Sequence, residues 1–246
     1  MATLKWDQVG ERLYETGTKK GVLYVQDTAG AYGEGVAWNG LSSVKQQNDG
    51  AEPTDIFAND KKYLSLYSQE NARGSIDAYT YPEEFEVCDG SATIAPGVHV
   101  GQQSRRAFGL AYSTIVGNDT QGNSYGEKIH IYYNVRVSPS SRDYETINDT
   151  PAALTMTWEF QTTPVDLDAL DLEPAAAITI DSTEVDPAAF KSLQDMLYGT
   201  EELEPSLPSL EEVISMMSTA GASAMSLDLD EAEAEAYAIE EQNEVE

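Results

Sequence analysis

Residues 74–137 limit the fold more than any other part of the chain, because three strand-like runs are separated there by turn chemistry. The first run, 75–81, is stopped by Pro82, and residues 83–88 offer one helical turn before Asp89-Gly90 turns the chain. An irregular, glycine-containing segment, 91–103, leads to two further runs at 108–116 and 127–137. Between those two lies GNDTQGNSYG, a cluster of turn formers that predicts a hairpin. A chain with this centre is organised around sheets, so the expected class is mainly β.

The flanking sequence agrees with that class. Residues 21–26, GVLYVQ, read as a first strand, and 36–46 as a single interrupted or bulged one. Turn formers dominate 47–61, which predicts a long exposed loop, and strand signal resumes in KKYLSLYSQ. Leu154, Met156, Trp158 and Phe160 alternate with Thr155, Thr157 and Glu159, a period of two that predicts a half-buried strand. A polar spacer, DLDALDLEP, precedes a further strand at 176–185.

Helical grammar follows. Asp186 is placed as an N-cap, Pro187 as a first-turn residue and Gly199 as a stop, with Phe190, Leu193 and Leu197 on one face, so a helix is predicted over 187–198. Ser209 and Glu212 stand in capping-box register ahead of a stripe of Leu210, Val213, Ile214 and Met217. The organisation expected is a β-rich domain over 1–199, a short docking helix within 200–218, and an acidic, disordered or locally helical tail over 219–246. The domain begins with an arm, about 1–20, whose Trp6, Val9, Leu13 and Tyr14 are too scattered to form a helical stripe.

Net charge narrows the function. The 246 residues carry a formal charge of -29, and all 14 Lys and Arg lie before residue 199. So acidic a surface gains nothing from counterion release, which argues against tight nucleic-acid binding, although an acidic wall suits a conduit past which DNA slides. No apolar run is long enough to span a bilayer and no basic-then-apolar leader opens the chain, so a soluble protein made inside a cell is expected. The single cysteine, Cys88, cannot form an internal disulfide or a cysteine-based zinc site.

Motifs of chemistry are weak. Gly30, Gly33 and Gly35 lack dinucleotide-loop spacing and read as turn glycines. Asp166, Asp168 and Asp171 lack the central glycine of a calcium loop. His130 reads as a satisfied sheet histidine, and His99 has no neighbouring ligand to share a metal. Asn118-Asp119-Thr120 and Asn148-Asp149-Thr150 match a glycosylation pattern but read as turns. No catalytic residue, cofactor or metal is expected. Carboxylate pairs and the 14 tyrosines leave a carbohydrate-binding β-sandwich or glycosidase as the alternative; a surface-layer subunit is a weaker one.

Several blocks, in order and reaching to about residue 218, carry a resemblance. They are WDQVGERLYETGTKKGVLY from Trp6, GVAWNGL from Gly35, AYTYPEEFEVCDGSATIAPGVHVGQQSRRAFGL from Ala78, YETINDTPAALTMTWEFQTTPV from Tyr144, IDSTEVD from Ile180 and LYGTEELEPSLPSLEEVI from Leu197. Together they resemble the major tail protein, or tail tube protein, of bacteriophages with long non-contractile tails. The resemblance implies a β-sandwich or barrel-like subunit with a flanking helix. Such subunits form rings, usually hexameric, that stack into a tube for genome ejection, with strands of neighbouring copies continuing one barrel. It implies a virion location, with host cytoplasm before assembly. The partners it implies are further copies of the chain, the tape measure, distal tail and terminator proteins, and double-stranded DNA passing without specific binding, with no membrane involved. Two segments become candidates for stacking contacts: the arm, through Trp6, Leu13 and Tyr14, and the long loop, through Asn48, Asp49, Glu52, Asp55, Asp60 and Lys61.

Overall fold

A computed structural model of the chain describes residues 3–218 except 51, 140, 143, 145 and 147–152. The expected tail, 219–246, and the Asn148-Asp149-Thr150 turn lie outside the described residues. Strands β1 (Leu13–Gln26), β2 (Tyr32–Ala37), β3 (Leu41–Asp49), β4 (Pro53–Ala58), β5 (Lys61–Tyr67) and β6 (Asn71–Ala78) come first. A 3-10 turn then runs into the short helix α1 (Glu86–Asp89). After it come β7 (Ala92–Ala95), β8 (Val98–Val100), β9 (Phe108–Asn118), β10 (Gly122–Val137), β11 (Ser141–Arg142) and β12 (Met156–Gln161). The chain continues through β13 (Val165–Leu167), β14 (Leu172–Ala175), β15 (Ala177–Asp181) and α2 (Pro187–Tyr198) to a last helix, α3 (210–218).

The fold is mainly β, and its strands pair antiparallel. The main sheet runs β2-β1-β9-β10-β12-β6-β3, with β15 also joined to β10 and β11 to β12. Strand β10 belongs to two layers. Lys128–Tyr132 pairs with β15 and with β9, whereas Arg136 and Val137 pair with β12. The turnover point is Asn134, which sits at φ 51° where the register slips between Tyr132 and Val135. An extra residue bends a strand, and asparagine tolerates this left-handed conformation better than most. Gln26 and the Tyr32 hydroxyl both donate to the Asn134 side chain, which fixes the bend.

Folding β10 over itself encloses a core between the layers, made of Leu23, Trp38, Ile76, Phe85, Phe108, Leu110, Trp158 and Phe160 among others. The Phe85 ring meets that of Trp158 nearly edge to face at 5.2 Å between centroids, a favoured aromatic geometry. A second core covers the opposite face of β1, β9, β10 and β15. Here Tyr24, Ile129, Ile131 and Ile180 lie beneath Phe190, Leu193 and Leu197 of α2 and Leu210 and Val213 of α3. The cap of α2 forms as its sequence indicates, with the Asp186 carboxylate accepting from the Ala188 and Ala189 N–H groups. At α3 the Ser209 hydroxyl accepts from the Glu212 N–H while the Glu212 carboxylate accepts from the Ser209 N–H.

Several expectations about local structure are corrected. The first strand begins at Leu13 rather than Gly21; Gly17 and Lys20 take positive φ and shift the pairing with β9, so the apolar alternation is broken although the ladder continues. The single interrupted strand at 36–46 is two strands, β2 and β3, joined by a turn with Gly40 at φ 76°. The expected loop 47–61 contains the end of β3 and all of β4, and forms a hairpin with β5. The irregular segment 91–103 holds the β7–β8 ribbon, and the spacer after Val165 folds back on itself as β13 and β14. In most of these segments few residues are buried, so no clear period is imposed. The alternating strand forms from Met156, with Met156, Trp158 and Phe160 buried as read, whereas Leu154 lies ahead of it and is exposed.

Candidate assembly surface

Two segments project from the enclosed cores with large apolar side chains in solvent. The first is the N-terminal arm, where Leu4, Trp6 and Val9 are exposed, Trp6 at 73 %. It follows the β9–β10 turn. Gly10 donates its N–H to Asp119 at 2.9 Å, Arg12 pairs with Asp119 at 3.8 Å, and the Tyr14 hydroxyl donates to Asn123 at 2.8 Å. Of the residues singled out from the sequence, Leu13 and Tyr14 are thus held at one end of the β9–β10 hairpin, and Trp6 precedes them in the arm. Asn118, buried there, accepts from the Thr120 and Gln121 N–H groups, so its tripeptide is a turn as read.

The second segment is the β4–β5 hairpin. Its tip is Asn59-Asp60, both with positive φ, between paired Ala58 and Lys61. Two such residues make the tight turn whose twist matches a hairpin. Within it, Lys62 pairs with Asp55 at 2.7 Å and Ser65 donates to Asp55 at 2.6 Å, which holds that carboxylate below its ordinary range. At its base Arg73 pairs with Asp49 at 2.9 Å, and Asn48 donates to Glu70. Asn48 and Asp49 therefore anchor the hairpin, Glu52 immediately precedes its first strand, Asp55 lies along that strand, and Asp60 and Lys61 are at its tip. No hydrogen bond or ion pair among the described residues joins arm to hairpin.

The sequence reading named polar residues here and missed the apolar ones. Phe57, Tyr63 and Tyr67 are 67 %, 72 % and 70 % exposed, and Ile56, Leu64 and Leu66 are exposed as well. The signal was present as Asn-Asp flanked by apolar runs. The β7–β8 ribbon adds exposed Ile94, Val98 and Val100, and is held to α1 by Glu86, which accepts from Thr93 and lies 2.8 Å from His99.

Charged side chains tie the arm strand to the body. Glu15 of β1 lies 3.4 Å from Lys128 and 3.3 Å from His130, and Lys128 also pairs with Asp181 of β15 at 3.4 Å. Burial alone raises the affinity of Glu15 for a proton, but Thr114 and Lys128 outweigh it and hold the carboxyl below its ordinary value. His130 stands between the hydroxyls of Thr114 and Thr179 at 3.0 and 3.1 Å and stacks on Tyr112, the satisfied sheet position its neighbours indicate.

The buried carboxylates join elements of the fold. Asp77 accepts from Ser43 and Thr157, and Asp89 accepts from the Trp158 indole at 2.9 Å and pairs with Arg142 at 2.9 Å. Among the described residues, no group of three or more His, Cys, Asp or Glu is arranged to hold a metal, and no helix is long and apolar enough to cross a membrane. Burial pushes the Cys88 thiol up to about 12, so it is a poor nucleophile.

No known protein family and no curated protein matches the sequence. Among solved structures the chain is similar to a chain of the sheath–tube complex of the PVC extracellular contractile injection system in its extended state. That match has 9 % identity and a TM-score of 0.33, and covers 65 % of this chain and 88 % of the other. A chain of the anti-feeding prophage baseplate gives 8 % identity and a TM-score of 0.34 over 72 % of this chain and 97 % of the other. A chain of the PVC sheath/tube terminator gives 10 % and 0.30 over 72 % and 99 %. Overlaps this loose leave function to be argued from the chain's own residues.

Proposed function

We propose that this chain is a structural, non-catalytic subunit that associates with its own copies into stacked, hexameric rings, forming the tail tube of a long-tailed phage with a non-contractile tail. The observation that carries the reading is the pair of apolar segments, arm and hairpin, held in defined positions outside two complete hydrophobic cores. Exposed apolar surface on that scale marks a protein interface. The sequence blocks that resemble tail tube proteins supply the kind of assembly. In this reading the arm, through Trp6, Leu13 and Tyr14, and the hairpin with its base, through Asn48, Asp49, Glu52, Asp55, Asp60 and Lys61, bridge successive rings. The unpaired edges of the main sheet join neighbouring copies, which removes an aggregation hazard, and the net negative charge lets DNA pass the wall without adhering.

The test is electron microscopy of the purified chain in negative stain. Rings or long tubes with a central channel are expected, and replacing residues 51–69 by a short Gly/Ser turn should leave a folded monomer that makes no tubes. Tubes from that variant would remove the hairpin from the stacking contact; native chains that stay monomeric and bind oligosaccharide would replace the reading with a carbohydrate-binding one. A second proposal concerns the acidic tail, 219–246: that it decorates the outer surface of the tube or restrains premature assembly. A chain ended at residue 218 should therefore polymerise faster or to a different length, and unchanged kinetics and length would refute this role.

A further inference from the structure

We propose that the chain's own acidic tail docks as an extended segment on the free edge of β2, in a groove beside the end of α2. This deepens the reading of the tail as a restraint on assembly, and rests on that reading for its consequence rather than its geometry. Strand β2 is the first of the main sheet, so one of its sides has no strand partner. Trp38 donates inward to Gly21, and Ala37, opposite Val22, therefore turns its own N–H outward. Gly35, two residues earlier, does the same, and its N–H is taken by the Pro205 carbonyl at 2.8 Å. The 200–208 connection does not continue the pairing: Pro205 has no N–H to return, and Ser206 turns back to donate to Met196 of α2. Beside it a groove of about 390 Å³ stays open, walled by Lys20, Gly35, Ala37, Leu197, Tyr198 and Pro205 among others.

The groove suits an extended backbone with small side chains and negative charge. An open strand edge binds a further strand through backbone hydrogen bonds. Lys19 and Lys20 share a single carboxylate, Glu127, at 3.7 and 3.2 Å, so one ammonium charge is left over there. Lys20 also reaches over the Tyr198 ring at 5.1 Å, which sets that charge against the groove wall. The tail meets these requirements. Residues 231–238 read EAEAEAYA, with alanine at every second position. A helix would scatter those alanines round all its sides, whereas a strand gathers them on one face. Residues 219–246 hold nine Asp and Glu and no Lys or Arg, so most of an acidic body repels them and the Lys19–Lys20 corner does not. Length suffices, because α3 packs on the core that includes Leu197, and residues 219–230 reach up to about 40 Å when extended. Alanine and glutamate are weak strand formers, so the docked segment gives way to a neighbouring copy's strand, as a restraint must.

Hydrogen exchange on the full chain, at concentrations where sedimentation shows monomers, tests the docking without requiring tubes. Protection is expected in 231–238 and at Ala37 together. Ala234→Pro with Ala236→Pro removes two backbone donors and keeps the charge, and should speed exchange at Ala37 by about tenfold or more. Ala37→Glu, at an exposed position, should free 231–238 to the same degree and leave circular dichroism unchanged. The proline variant should also begin to assemble at lower concentration than the native chain. Native 231–238 exchanging as fast as a free peptide, or protected but indifferent to Ala37→Glu, overturns the groove. Protection that grows with protein concentration gives the groove to a second copy's tail and overturns docking of the chain's own. If exchange behaves as expected but the proline variant assembles like the native chain, the groove stands and the restraint reading fails. If that variant assembles earlier while native 231–238 is unprotected, the restraint stands and the groove is refuted.

Discussion

At the scale of single residues, buried charge is placed where it joins elements rather than where it would react. Asp89, at the end of α1, receives the Trp158 indole of β12 and the Arg142 guanidinium of β11, linking three segments distant in sequence. Asp89→Ala should lower stability by about 2–3 kcal/mol, because it leaves a buried indole N–H without a partner; a urea midpoint equal to the native one would refute the link. His130 sets a pH dependence. Burial above all holds its imidazole below the ordinary 6.5, with Lys128 acting the same way and Glu15 opposing. The unfolded chain therefore binds this proton more readily, so the contribution of His130 is complete above 6.5 and is lost as pH falls through the lowered folded value. The loss of stability between about pH 7.5 and about pH 5 should be smaller in His130→Asn than in the native chain. An equal loss in both would show that the histidine is not responsible. His130 was legible in the sequence because Ile129, Ile131 and Tyr132 place it in a strand, whereas its partners Thr114, Thr179 and Glu15 come from three other strands that only pairing brings together.

At the scale of elements, what could be read depended on whether a segment has one buried face. Trp158 and Phe160, and Phe190, Leu193 and Leu197, each repeat with the period of their element because one side meets a core. The hairpin escaped notice for the opposite reason: with neither side covered, Pro53–Ala58 shows no alternation, and its turn residues dominate the local composition. Strand β1 was half legible, since its inner end is buried from Gly21 to Tyr24 while its outer end is exposed and bulged. Caps offer a direct check. Ser209→Ala removes one side of the reciprocal pair at α3 and should cost about 1 kcal/mol, read as faster amide exchange in 210–218 with α2 unaffected. Leu193→Ala, in the fully buried seam beneath α2, should cost about 2–5 kcal/mol in global unfolding. An effect below about 1 kcal/mol would mean that α2 is not integral to the second core.

At the scale of the molecule, the fold class was legible, and so were the arm and the long loop as candidates, whereas the apolar side chains that the hairpin exposes were not. The arm and the hairpin stand out by what they leave uncovered, which a sequence pattern does not record. Charge makes a further prediction. Copies carrying -29 repel one another, and screening shortens that repulsion to about 10 Å at 0.1 M salt. Assembly should therefore begin at lower protein concentration as ionic strength rises, measurable by light scattering; onset delayed by salt would point to contacts made chiefly by ion pairs. The position of the hairpin has a mechanical consequence. It continues directly from the outer ends of β3 and β6, and β6 is laddered to β12 from Arg73 opposite Gln161 to Ala78 opposite Met156. Tension applied to the hairpin runs along the strand axes, across bonds that lie perpendicular to them. Those bonds share the load in shear instead of opening one after another, so a pull on the hairpin, as in the tube proposed above, would be resisted by the whole width of the β6–β12 ladder.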